Sequence, residues 1–175
     1  QSGLSPSAAF SEVTERQAGR RTVTTLIQGG NGERMLCVSV TAASDSATAR
    51  MIDGLRAPFD CFVINCSANF LQEASKTLHA VAVNTTDWVQ VFGIACEEIH
   101  DWIDEASVRA GRQEAVGDGE PMSSWHHEVD NVSIARSLMS GGLGYESTKL
   151  IVVIGTVSDE AALIAELQRE GQQPP

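Results

Sequence analysis

The fold is decided by residues 88–112, WVQVFGIACEEIHDWIDEASVRAGR, in which a short apolar run passes through Gly93 into a long amphipathic segment. Residues 88–92 have the length and the aromatic and β-branched content of a buried strand. A helix is predicted over residues 96–112, because apolar residues recur there at helical spacing: Ile99, Trp102, Ile103, Ala106 and Ala110. A strand that leads directly into a helix is the repeating unit of α/β proteins.

The rest of the chain repeats this alternation. Strand-like runs are present at Met35–Thr41, Phe59–Cys66 and Leu150–Gly155. Helical patterns follow each of them, and a further helix is predicted from Asp130/Asn131. Since strands that alternate with helices form a parallel sheet covered on both faces, we predict an α/β three-layer sandwich with about five strands, most of them parallel.

The two ends of the chain depart from this pattern. The runs Thr22–Gln28 and Met35–Thr41 flank the turn-forming sequence Gly29-Gly30-Asn31-Gly32, which predicts an N-terminal antiparallel hairpin at an edge of the sheet. Residues 1–20 show no clean apolar stripe, so we expect a flexible arm. We predict a single domain over residues 21–170, followed by a tail at 171–175.

Composition excludes several classes of function. The 175 residues carry a formal net charge of −11, which disfavours binding to nucleic acid or to anionic lipid. No apolar run approaches the length of a membrane span, and the first residues lack the pattern of a signal peptide, so the expected location is the cytoplasm. The four cysteines show no CxxC spacing, which favours free thiols over a disulfide framework or a zinc ribbon.

Unusual polar residues are concentrated in residues 96–130, which contain ten acidic residues against two arginines. On the predicted helix, His100 and Asp104 are one turn apart and point the same way, and Asp101 and Glu105 form a second such pair. The segment 113–130 is predicted to be a polar loop that folds back onto this helix. The functional residues of the loop would be Asp118, Trp125, His126 and His127.

Two functions of different class fit this pattern. The first is a non-catalytic, acidic protein-interaction domain, a subunit or regulator that binds another protein. Its partner-binding residues would be Asp101, Glu105, Trp125 and His127. The alternative is a small hydrolase or transferase in which His100 and His126 share one recess. Its catalytic residues would be His100, Asp104, Asp118 and His126. No cofactor is expected for the first function, whereas the second admits a divalent metal held by imidazole and carboxylate.

Two further features of the sequence resemble a cysteine nucleophile and a phosphate-binding loop. Cys96 follows a strand and begins a helix, a place where a nucleophile can be presented, although Glu97 and Glu98 would oppose thiolate formation. The glycine-rich residues 141–144 precede a strand rather than a helix, so they do not present backbone amides to a phosphate as a P-loop does.

A resemblance rests on four strings in the second half of the chain. They are His100-Asp101-x-Ile103-Asp104, Gly111-Arg112-Gln113, Gly117-Asp118-Gly119-x-Pro121-Met122-x-x-Trp125-His126, and Lys149-Leu150-Ile151-Val152-Val153-Ile154-Gly155. Together they resemble a group of small bacterial α/β proteins of unknown function. The resemblance covers the chain from Trp88 onward and implies a bacterial, cytoplasmic protein without implying an activity.

Overall fold

The structure, a computed structural model, describes residues 10–17, 20–28, 34–55, 59–84, 88–111, 122–139 and 148–171. These residues form seven strands and five helices. In chain order they are β1 (Phe10–Gln17), β2 (Arg20–Gln28), β3 (Arg34–Val40), α1 (Asp45–Asp53), β4 (Asp60–Asn65), α2 (Phe70–Asn84), β5 (Trp88–Gly93), α3 (Cys96–Arg109), β6 (Met122–His126), α4 (Asn131–Met139), β7 (Thr148–Ile154) and α5 (Val157–Gly171).

The strands form one sheet in the order β1-β2-β3-β7-β4-β5-β6. The five strands from β3 to β6 in this order are all parallel, which confirms the predicted α/β class. The central strand is β7, and all seven of its residues are buried. Every residue of β4 is buried as well, as expected for strands covered on both faces.

The N-terminal part of the sheet is antiparallel. Strand β2 pairs antiparallel with β3, in a register that places Thr24 opposite Val38. The turn predicted at residues 29–32 lies outside the described residues, so the hairpin as a unit stays a prediction. Part of the expected N-terminal arm is a strand, since Phe10–Gln17 forms β1 and pairs antiparallel with β2.

Two apolar clusters lie on opposite faces of the sheet and define the three layers. One cluster packs the sheet against α1, α2 and α3, and it includes Ile52, Leu78 and Ile103. The other packs it against α4 and α5, and it includes Leu138 and Leu163. Burial of each large apolar side chain contributes about 1.5–3 kcal/mol, so these clusters are the main source of stability.

This arrangement places a topological switch point at the carboxyl ends of β5 and β6. Strand β5 leads into α3 on one face of the sheet, and the neighbouring β6 leads into α4 on the other. Ligand sites in α/β sheets form at such switch points, because the two connections diverge and leave a crevice between them. No helix among the described residues is long and apolar enough to cross a membrane.

The segment 113–130 differs from its prediction. Residues 122–126 form β6, a strand that pairs parallel with β5 and places Phe92 opposite His126. Residues 113–130 were expected to form one polar loop, so a strand at residues 122–126 was not predicted. Pairing with β5, rather than local propensity, therefore determines its conformation.

Candidate functional site

The turn between β5 and α3 has an unusual backbone conformation. Gly93 has a φ of 93°, and a Cβ at this position would overlap the carbonyl oxygen of Asn65. Ala95 adopts the left-handed conformation, with φ 53° and ψ 32°, which costs about 1 kcal/mol for a residue other than glycine. The turn is held by Asn65, which accepts a hydrogen bond from the Ile94 amide at 3.0 Å and donates its side-chain amide to the Ile94 carbonyl at 2.6 Å. Asn65 thus fixes the point at which Cys96 begins α3.

One face of β6 is directed toward α3 and makes three side-chain contacts with it. The Ser123 hydroxyl donates to the Asp104 carboxylate at 2.8 Å. The ring of Trp125 lies against the His100 ring, with centroids 4.6 Å apart. His127, just beyond the strand, places its Nδ1 3.5 Å from the Cys96 sulfur.

His100 is buried and has polar neighbours at both ring nitrogens. Its Nδ1 lies 3.1 Å from the Asp101 carboxylate, and its Nε2 lies 3.6 Å from the Asp104 carboxylate. A buried imidazole is stable only when such partners replace the water that it loses. The contacts confirm that His100 and Asp104 point the same way. They also hold the His100 ring in the position where it packs against Trp125.

The opposite face of β6 carries a second row of polar residues. The His126 ring stacks on Phe92 at a centroid distance of 4.7 Å and an angle of 14°. Its Nε2 lies 3.3 Å from the Ser124 hydroxyl, and its Nδ1 lies 4.0 Å from the Glu128 carboxylate. Beside Ser124, the buried Oε1 of Gln90 has no hydrogen-bond partner among the described residues.

The prediction that His100 and His126 share one recess is wrong. Successive residues of a strand point to opposite faces, so Trp125 contacts His100 while His126 contacts Phe92 on the other side of the sheet. The proposed catalytic set is therefore divided, with His100 and Asp104 on the α3 side and His126 facing α4 and α5. Its fourth member, Asp118, lies outside the described residues.

The predicted partner-binding residues lie on the α3 side. The side chains of Asp101 and Glu105 are 73% and 63% exposed, and Glu105 forms an ion pair with Arg109 at 2.7 Å. Trp125 is 42% exposed, so it is only partly anchored against α3. His127 is exposed and, through its contact with Cys96, has a neighbour that the sequence did not indicate.

All four cysteines are free thiols, in surroundings that differ. Burial raises the pKa of Cys37 and Cys61 far above the ordinary range. Cys66 is exposed, because β4 ends one residue before it. Burial also raises the pKa of the Cys96 thiol, but backbone amides of Glu97, Cys96 and His126 oppose this effect by donating toward the sulfur.

The metal form of the enzyme hypothesis lacks a complete ligand set in the described part of the chain. No three His, Cys, Asp or Glu side chains come together there in a way that could hold a metal ion. Both nitrogens of His100 already face carboxylates, and His127 faces a thiol on a different segment.

No family model matches the chain, and no curated protein matches it. The resemblance to small bacterial proteins therefore stays a prediction.

The contact between Cys96 and His127 was missed because it depends on β6. The sequence indicated that Cys96 begins a helix, but nothing in it placed His127 beside that residue, because β6 was not recognised as a strand.

Proposed function

We propose that this domain binds a basic segment of another protein along α3 and β6. The observation that carries the proposal is that a half-exposed tryptophan, Trp125, lies directly beside an acidic helix surface. We name this surface the acidic face of α3 and define it by four residues: Glu97, Asp101, Asp104 and Glu105.

The charge of α3 favours a cationic partner. The helix contains five acidic residues against one basic residue, Arg109. Among the described residues, Glu105 is the one member of the acidic face with an ion pair to Lys or Arg, while Asp101 and Asp104 contact the His100 ring. Charge of this kind mainly raises the association rate and disfavours partners of like charge.

Trp125 supplies the apolar part of the surface. Tryptophan is enriched among residues that dominate binding energy, because it combines a large apolar area with a polar N–H. Here its ring is held in place by His100, which in turn is held by Asp101 and Asp104. A ring that is already positioned loses little conformational entropy when a partner covers it.

Strand β6 supports an extended form for the bound segment. Within the described residues it is the last strand of the sheet and pairs only with β5. An edge strand of this kind can accept a further strand through backbone hydrogen bonds, a common mode of peptide recognition. The bound segment would then run beside Trp125 and within reach of the acidic face of α3.

Binding of extended peptides tests the proposal. The probes are fluorescent peptides of about ten residues that alternate lysine or arginine with valine, and acidic peptides of equal length serve as negative probes. We expect binding of the basic peptides only. The double variant Asp101→Asn/Glu105→Gln should weaken it about tenfold, and Trp125→Ala should do the same, since each removes roughly 1–2 kcal/mol.

A matched control separates this surface from net charge. The double variant Asp53→Asn/Glu73→Gln makes the same change in total charge on α1 and α2. It should leave the affinity unchanged. Equal weakening by both double variants would show that the peptides respond to the overall charge of −11 and would refute the proposed surface.

A further inference from the structure

We propose that Cys96 and His127 form a nucleophile–base pair that transfers an apolar acyl group from an ester or thioester. The two residues come from segments 31 positions apart in the chain, and their side chains meet at 3.5 Å between Sγ and Nδ1. This site adjoins the proposed partner-binding surface, because Glu97 of the acidic face of α3 directly follows Cys96.

Position in the fold is the first support. Cys96 is the first residue of α3, which follows β5, and His127 directly follows the neighbouring strand β6. Both residues therefore lie at the edge of the sheet where the connections of β5 and β6 diverge, a usual position for ligand sites. The left-handed Ala95 and the bonds from Asn65 to Ile94 hold the thiol at the end of this turn.

The surroundings of the sulfur are the second support. At the start of α3, backbone amides of Cys96 and Glu97 donate toward Sγ, joined by the amide of His126. Donors in this position stabilise negative charge on a thiolate, whereas the carboxylate of Glu97 acts against it. Because Cys96 is buried, the resting group is the neutral thiol, and His127 must accept its proton when substrate binds.

Exposed apolar side chains on the same two connections indicate the substrate class. Ile94, between β5 and α3, is 47% exposed, and Val129, between β6 and α4, is 68% exposed. Side chains of this type cost free energy in water and gain it by covering an apolar group. They flank the positions of Cys96 and His127 along the chain, so the acyl group of the substrate would be apolar.

The proposed reaction balances without a cofactor. His127 accepts the thiol proton at Nδ1, and the sulfur attacks the acyl carbon. A carbon–sulfur bond forms as the bond to the leaving oxygen or sulfur breaks, and the leaving group takes the proton from His127. Water then attacks the acyl-cysteine with His127 as base, which releases the carboxylic acid and restores the thiol.

The first experiment measures thiol reactivity in the native protein. Iodoacetamide is added over a range of pH, and alkylation of each cysteine is followed by peptide mass spectrometry. We expect Cys96 to react faster than the buried Cys37 and Cys61, and His127→Gln to slow it by about tenfold or more. The neighbouring His126→Gln should have no effect, because His126 points to the other face of the sheet.

Exposed Cys66 is the internal standard, since its alkylation should be equal in all variants and would reveal a change in folding or in reagent. The pairing of Cys96 with His127 is refuted if Cys96 is as slow as Cys37 and Cys61, or if both histidine variants slow it equally.

The second experiment tests acyl transfer on the wild-type chain. 4-Nitrophenyl butyrate is mixed with the protein, and release of nitrophenolate is followed together with the mass of each peptide. We expect one butyryl group on Cys96 and a loss of this adduct in Cys96→Ser, while 4-nitrophenyl acetate should react more slowly. An adduct on Ser124 or Cys66, or the absence of both an adduct and a Cys96-dependent release of nitrophenolate, would overturn the proposal.

Discussion

At the scale of single residues, Glu160 shows a conflict between charge and burial. It lies in the first turn of α5, is 3% exposed, and receives hydrogen bonds from Ser39 and Cys37 of β3. Its Oε1 has no partner among the described residues. Burial outweighs these bonds and raises the pKa of Glu160 above its usual value.

The sign of the effect on stability follows from this pKa. The folded protein holds the Glu160 proton more tightly than the unfolded chain does, so the contribution to stability is greatest below the unfolded pKa and is lost as pH rises through the folded pKa. Glu160→Gln should therefore raise Tm at pH 7 by a few degrees, equivalent to about 1 kcal/mol, and by much less near pH 4. Melting curves at both pH values test this, with the exposed Glu105→Gln as control. A gain that is independent of pH would contradict the assignment.

At the scale of elements, α2 depends on a residue of α1. The helix is interrupted at Ala74, where φ is −141° and ψ is 16°. Amides freed at this interruption donate to the Asp45 carboxylate, from Thr77 at 2.8 Å and from Lys76 at 3.1 Å. Asp45 therefore acts as an N-cap for the second part of α2, supplied from another helix.

Removal of this cap should lower stability. Asp45→Ala leaves two buried amides without their acceptor, so we expect a loss of about 1–2 kcal/mol and a fall in Tm of several degrees. Asp45→Asn keeps one acceptor oxygen, so its Tm should lie between those of the wild-type chain and Asp45→Ala. Thermal unfolding followed by circular dichroism is the measurement, and Asp53→Ala, at the exposed end of α1, is the control. An equal loss in both alanine variants would show that the contact does not cap α2.

Elements that bury a continuous apolar pattern were predictable from the sequence, and others were not. The runs that became β4, β7 and α3 were identified because burial requires a fixed spacing of apolar residues. The cap of α5 depends on a local exchange of hydrogen bonds between Thr156 and Asp159, and the helix begins at Val157. Strand β6 was missed because its conformation depends on pairing with β5, which no local pattern encodes.

In the candidate site, too, features that depend on strand pairing could not be predicted from the sequence. The acidic face of α3 follows from helical spacing alone, and the contact of His100 with Asp104 was predicted from it. The face on which each histidine lies depends on the alternation of β6, so the sequence could not show which of His126 and His127 lies on the α3 side. Two adjacent histidines with different neighbours, Phe92 and Cys96, become distinguishable only when the strand is known.

At the scale of the whole molecule, net charge and ion pairs act in opposite directions on stability. A formal charge of −11 disfavours the compact state through self-repulsion. Exposed ion pairs, such as Glu105 with Arg109 and Arg136 with Glu170, favour it, but each contributes only about 0–1 kcal/mol. Salt screens both terms, since the Debye length falls from about 30 Å at 0.01 M to about 10 Å at 0.1 M.

Because acidic residues outnumber basic residues by 23 to 12, we expect repulsion to dominate. Tm should therefore rise by a few degrees between about 10 mM and about 300 mM NaCl. The variant Asp101→Asn/Glu105→Gln removes two negative charges and should show a smaller rise from a higher starting Tm. Potassium chloride should give the same curve as sodium chloride, because screening does not depend on the cation. A Tm that falls with salt would mean that the ion pairs outweigh the repulsion, and the acidic face of α3 would then be stabilising rather than available to a cationic partner.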